Sequence, residues 1–193
     1  LKYHYPVEYM TALLSAWKND NDKCSVYVSE CHNMGIEVLP PDVNHSGYDF
    51  TIEERTDGKA SIRFGLGAIK NVGQGPVDTI IQARGHQAFL DLNDFILRVD
   101  LRQVGKRPLE CLIKVGAMDA FGARNALLRS IDQMVSVSTS NMKAIEMGQL
   151  DLFGGGTAAL PHVVLPANVG VDTNEQLGWE KELLGLFVSD HPL

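Results

Sequence analysis

The sequence predicts a mainly α fold carrying a small β-hairpin and ending in a flexible C-terminal connector. Three observations predict it. Apolar residues recur at a spacing near 3.6 over much of the chain, a single Asp-Gly pair separates two alternating runs, and Gly- and Pro-rich sequence follows position 148. Pro6 followed by Val7, Met10, Leu13, Leu14 and Trp17 gives a first helix with Pro in its opening turn. Asn19-Asp20-Asn21-Asp22 supplies capping oxygens for a second helix through Cys24–Cys31 that stops at Gly35. Ile36 to Leu39 is short and β-branched, and Pro40-Pro41 stops it. Tyr48–Glu53 and Ala60–Phe64 alternate on either side of Thr56-Asp57-Gly58-Lys59, a hairpin whose turn needs the positive φ that Gly accepts cheaply. From Gly65 to about Ser136 the texture is helical, cut short by glycines at 73, 75, 85, 105, 116 and 122. The period fails after Met134, where Val135 to Ser140 is small and polar. Gly154-Gly155-Gly156 and Pro161–Gly170 extend the connector, and Glu175–Val188 closes the chain as a short helix.

Composition bounds the function. At 193 residues the chain is long enough for a real core, and no apolar run reaches the roughly 18–20 residues that span a bilayer, so a membrane role is excluded. Leu1-Lys2-Tyr3 has neither an initiator Met nor a signal-type segment, which reads as a piece of a longer chain. Three cysteines, Cys24, Cys31 and Cys111, build no disulfide framework and point to a reducing, cytoplasmic setting. The net charge of −7 argues against nucleic acid until it is placed along the chain. Residues 59–129 hold 11 basic and six acidic side chains, +5, while the rest carries −12. Such a block is either an ordinary solvated face or an electrostatic footprint.

The stretch from Phe64 to Arg84 favours the second reading. Ile69 and Val72 lead into Val72-Gly73-Gln74-Gly75, Pro76 is placed to begin a helix, and Val77, Ile80, Ile81 and Arg84 follow at helical spacing. This is a helix-hairpin-helix pattern, apolar-Gly-x-Gly between two short helices. Two glycines let a phosphate come close, and the free amides of the helix start point at the anion. A plain helical turn with two glycines is the alternative. The candidate DNA contacts are Lys70, Asn71, Val72, Gly73, Gln74 and Gly75. Lys106, Arg107, Lys114 and Arg124 join them from a weaker second unit that lacks the Gly-x-Gly pair.

A Leu-Phe pair in Gln149-Leu150-Asp151-Leu152-Phe153, on a polar, Gly-flanked segment, suits docking into a partner's pocket. The alternative is a loop tip folded onto its own core. Catalytic constellations are absent from the pattern. Cys24 and Cys31 lie seven apart and read as buried thiols, Asp91 and Asp94 read as helix caps, and the six histidines are scattered.

Several runs carry a family resemblance: His4–Tyr9, Glu30–Asn44 with its Leu-Pro-Pro-Asp-Val-Asn, Arg63–Gly73, Leu112–Asp119, Gly148–Gly154 and Glu182–Leu193. Over essentially the whole chain the sequence resembles the alpha (polymerase) subunits of bacterial DNA polymerase III, the C-family replicative polymerases. The resemblance implies the C-terminal part of a fingers domain over 1–60 and a helix-hairpin-helix region holding duplex DNA over 61–133. It further implies a connector with a clamp-binding pentapeptide over 134–174, and a short helix over 175–193 that leads toward an OB-type domain. The partners implied are duplex DNA without sequence preference, the sliding clamp (beta subunit) and other replisome subunits. It implies no catalytic residue and no cofactor in this stretch, since the family's catalytic aspartates and their Mg2+ belong to a palm domain upstream. Two rivals come from other classes: a helix-hairpin-helix accessory protein of repair or recombination recruited to the same clamp, and a metal-dependent nuclease.

Overall fold

The computed structural model describes residues 1–148, 161–167, 170 and 172–189. Helix α1 (Pro6–Ala16) starts on Pro6, and α2 (Asn21–Asn33) starts where the Asp20 carboxylate accepts the Lys23 amide at 3.0 Å. Met10 and Leu14 of α1 and Cys24, Val28 and Cys31 of α2 face each other and the sheet as one buried layer. Burial pushes the Cys24 and Cys31 thiols up to about 11, as expected of structural rather than reactive cysteines.

The predicted hairpin is formed by β2 (Thr51–Glu54) and β3 (Ala60–Arg63), paired antiparallel with Ile52 opposite Ile62. Gly58 takes φ +77° in its turn, and the Asp57 carboxylate accepts the Lys59 amide at 3.0 Å. The structure adds a strand to it. β1 (Val38–Leu39) runs parallel to β3, with the Ile62 amide donating to the Glu37 carbonyl at 2.9 Å, so the sheet has three strands in the order β1-β3-β2. Gly65 and Gly67 follow at places where a Cβ would collide with the Asp49 backbone and the Tyr48 ring, so the chain leaves the sheet tightly against 48–49.

A 3-10 turn (Leu66–Ala68) leads to α3 (Gln74–Arg84), then come α4 (Leu92–Arg98), α5 (Leu101–Val104) and α6 (Lys106–Lys114). A second 3-10 turn (Asp119–Phe121) precedes α7 (Arg124–Arg129). The arm before the Gly-x-Gly turn is therefore a single 3-10 turn rather than a helix. Asp91 caps α4 as expected, accepting the Asp94 amide at 2.8 Å.

The connector reading fails from 134 to 146. Helix α8 (Ile131–Glu146) runs straight through the small polar stretch. Its buried Ser138 hydroxyl donates to the Val99 carbonyl at 2.8 Å and accepts the Leu101 amide at 3.1 Å, and Asn141 donates to the Leu97 carbonyl at 2.9 Å. Those backbone groups belong to the corner between α4 and α5 and would otherwise be orphaned. Ser138 and Asn141, which look like linker in the sequence, are polar because they satisfy that corner. Further on, Asn93 both donates to the Val163 carbonyl (3.2 Å) and accepts the Val163 amide (2.8 Å), clipping buried Val163 to α4. Helix α9 (Thr173–Leu184) is capped by Asp172 and ends at Gly185 with φ +79°. Among the described residues no helix is long and apolar enough to cross a membrane, and no group of three or more potential metal ligands gathers.

Candidate nucleic-acid interface

The turn from Lys70 to Gly75 is held from behind and open in front. Ile69 and Val72 are buried, and the Val72 amide donates to the Ile69 carbonyl at 3.1 Å. Val72 is thus an anchor: its side chain faces the core, which corrects its reading as a contact and leaves only its peptide at the turn. Asn71 takes φ +67°, the one non-glycine residue at positive φ among those described, and its amide group lies 3.9 Å from the Cys111 sulfur. Gly73 is the N-cap of α3 in extended backbone, with no side-chain cap. Pro76 has no N–H, and Val77 turns back to the Gly73 carbonyl at 3.4 Å. The amides of Gly73, Gln74 and Gly75 therefore have no partner among the described residues, and all three residues are exposed.

The two glycines have no internal explanation of the usual kind. Neither sits at positive φ, and a Cβ built on either meets nothing within 4 Å. A Ser or Asp at the N-cap would fill the open amides with its own side chain, whereas Gly73 leaves them bare. Gly75 weakens the helix start relative to Ala by up to about 1 kcal/mol, and nothing inside the chain offsets it.

Structure also brings the second unit to this turn. Asn71 shares a cleft of about 430 Å³ with Lys106, Arg107, Glu110, Cys111, Lys114, Glu182 and Leu183. Lys106 and Arg107 are exposed at the first turn of α6. Lys106 is ion-paired to Asp132 at 2.6 Å, whereas Arg107 has no ion pair among the described residues. Lys114 pairs with Glu110 at 2.7 Å and lies over the Trp179 ring at 5.5 Å. Trp179, Glu182 and Leu183 come from α9, over fifty residues away, and no local pattern announces them as neighbours.

Arg124 is a second correction. It is buried and does not reach the surface: its guanidinium donates to Asp119 at 3.1 Å twice, to the Lys114 carbonyl at 3.1 Å, to Glu180 at 2.9 Å and to Ser189 at 3.2 Å. Other arginines of the basic block are braces too. Arg63 grips Glu53 with two bonds, Arg84 donates to the Val43 and Ser46 carbonyls, and Arg98 to those of Ala83, Arg84, Gln87 and Ala88. The +5 of residues 59–129 overstates the charge offered to a partner. Exposed Lys70, Lys106 and Arg107, with half-buried Lys114, are what remains beside the turn. The pentapeptide Gln149, Leu150, Asp151, Leu152, Phe153 lies outside the described residues.

A family model described as "Helix-hairpin-helix motif" matches residues 35–128, taking in both units. The DNA polymerase III subunit alpha of Campylobacter jejuni is 40% identical over 196 residues, covering all of this chain. This chain belongs to the DNA polymerase III alpha subunit family. The alpha subunits of Vibrio cholerae and Escherichia coli are 43% and 41% identical, each over 104 residues and 53% of the chain. The chain spans only 16% of the Campylobacter alpha subunit, and the matched parts are 9% of the other two. Within an alpha subunit, then, the turn and the cleft described above are one short stretch of a far longer polypeptide.

Proposed function

We propose that this stretch grips duplex DNA by its phosphates, without reading bases, as part of a replicative polymerase alpha subunit, and that Gln149–Phe153 docks the sliding clamp. Residues 1–60 are assigned to the fingers and 61–133 to the duplex grip, while nucleotidyl transfer and its Mg2+ belong to parts of the polypeptide outside this sequence. One observation carries the duplex reading: Gly73 and Gly75 present bare amides and open space where neither backbone conformation nor internal packing asks for glycine. Amides at a helix start bind anions, and contacts to phosphate alone ignore sequence. Lys70, Lys106, Arg107 and Lys114 supply the attraction beside it. Such a grip has an affinity on the order of 10⁻⁴–10⁻⁶ M at physiological salt. Clamp docking on the same DNA makes the second contact intramolecular and raises avidity by about 10²–10⁴.

The deciding experiment separates stability from binding. Gly75→Ala should raise the melting temperature or leave it unchanged, and Gly73→Val should still fold, yet both should weaken duplex binding about tenfold because a Cβ fills the phosphate's approach. Unchanged duplex affinity in folded variants removes the turn from the interface. Salt titration divides the contacts further. Each cationic side chain that meets a phosphate adds about −0.9 to the log–log slope, whereas a backbone amide releases no counterion through charge of its own. Arg107→Ala should flatten the slope by about that amount, and Gly75→Ala should weaken binding with little change in slope.

A further inference from the structure

We infer that Glu180 is a positioning residue for the duplex grip: through helix α9 it holds the Lys70–Gly75 turn in the conformation that bares its amides. The inference rests on the duplex reading above and adds an element to it that lies over one hundred residues from the turn.

The chain of contacts is continuous. Glu180 is fully buried in the middle of α9. One carboxylate oxygen accepts from Arg124 at 2.9 Å and from the Ser189 hydroxyl. The other accepts the amides of Val188 at 2.9 Å and Ser189 at 3.0 Å. Arg124 carries the tie onward to Asp119 and to the Lys114 carbonyl, so the second hairpin unit and the C-terminal segment are locked onto one carboxylate. One turn beyond Glu180, in the last turn of α9, the Leu183 carbonyl has lost its intrahelical partner. It accepts the Lys70 amide at 3.0 Å instead. Gly185 then leaves the helix at positive φ so close to Asn21 that a Cβ would stand 2.8 Å from that side chain.

Lys70 is the residue before Asn71, and Asn71 holds a left-handed conformation that asparagine adopts more readily than other side-chain-bearing residues. Two holds fix the chain on either side of it. On one side Val72 is sunk in the core, and on the other the Lys70 amide is fixed to α9. Loosening α9 releases that second hold, and the turn and its open amides lose their fixed geometry.

The test uses the full-length polypeptide. Glu180→Gln removes the charge and keeps the side chain's size, Ser189→Ala removes one hydroxyl that donates to Glu180 and accepts from Arg124, and Ile96→Val trims the core elsewhere as a control for lost stability. Duplex affinity is read by fluorescence anisotropy at a temperature where circular dichroism shows every variant folded, and amide exchange is read at Lys70. Glu180→Gln is expected to speed exchange at Lys70 and weaken duplex binding about tenfold, Ser189→Ala to do both less, and Ile96→Val to do neither. The positioning role is overturned if Glu180→Gln binds duplex like the parent, or if Ile96→Val weakens binding equally. Should Glu180→Gln not fold, Ser189→Ala decides by the same two readouts, and parental values in both overturn the role. A Gly75→Ala variant that binds normally indicts the duplex reading itself, whereas loss in Gly75→Ala with none in Glu180→Gln indicts only the brace.

Discussion

Arg124→Ala is expected to destabilise the fold by about 3–5 kcal/mol, read as a lower denaturant midpoint at neutral pH. Arg124 is 5% exposed and its partner Glu180 is 0% exposed, so truncation strands a buried carboxylate as well as the Lys114 carbonyl. Removing one member of a buried ion pair costs far more than the pair contributes net, because the survivor stays desolvated. Lys106→Ala makes the comparison. Its bond to Asp132 is short, 2.6 Å, but both side chains stand mostly in water, and the loss should be within about 1 kcal/mol. The effect of Arg124→Ala should also depend on pH in a defined direction. Burial alone would raise the Glu180 carboxyl. The Ser189 hydroxyl and amide, the Val188 amide and Arg124 outweigh it and hold the group below its ordinary value of 4.5. A carboxyl lowered in the folded state adds stability that is complete above its unfolded value and fades as pH falls through the folded one. The gap between parent and variant should therefore be widest at neutral pH and narrow as pH falls, because the variant's carboxyl, desolvated and without Arg124, takes up its proton at a higher pH than the parent's. A gap that stays constant from pH 7 to pH 3 would show that the ion pair is not the source of the cost.

Arg124 also marks where reading a sequence stops. Features governed by neighbours along the chain were legible: the helix opening at Pro6, the cap at Asp20, the turn at Asp57-Gly58 and the Gly73-x-Gly75 start of α3 each depend on a few adjacent residues. What was missed depends on partners far away. β1 pairs with β3 over more than twenty residues, and Ser138 looks like linker until its bonds to Val99 and Leu101 are known. Arg124 and Lys70 are both basic residues near a hairpin turn, and only the fold separates them. Arg124 meets Asp119 and Glu180, while Lys70 gives its amide to α9 and leaves its side chain exposed. Counting charge along a segment therefore overstates the cations left exposed beside the turn. The two glycines are informative in another way, because Gly73 and Gly75 remain unexplained after internal packing has been accounted for.

Leu152→Ala combined with Phe153→Ala is expected to abolish binding to the isolated clamp ring, a loss of at least 100-fold, while leaving duplex affinity as it was. The pentapeptide begins directly after Gly148, two residues past the end of α8, and none of the duplex contacts proposed here lies within it. Burying a leucine and a phenylalanine is worth about 3–6 kcal/mol gross. Ordering the peptide opposes all of its contacts together, and an affinity no better than micromolar corresponds to at most about 8 kcal/mol net. Taking about 3–6 kcal/mol away from a total of at most about 8 leaves Gln149, Leu150 and Asp151 too little to hold the ring. Calorimetry against clamp alone should lose its heat signal, and anisotropy on a short duplex should be unchanged. On duplex already encircled by the clamp, the variant should lose the 10²–10⁴ of avidity and fall back to the affinity of the hairpin grip. The converse variant, Gly75→Ala, should keep its heat signal on the isolated clamp and lose affinity wherever duplex is present. Two grips that fail separately under these substitutions are two sites joined by a tether. Parallel losses in both assays from either substitution would instead mean one shared surface, and the tether model would have to be abandoned.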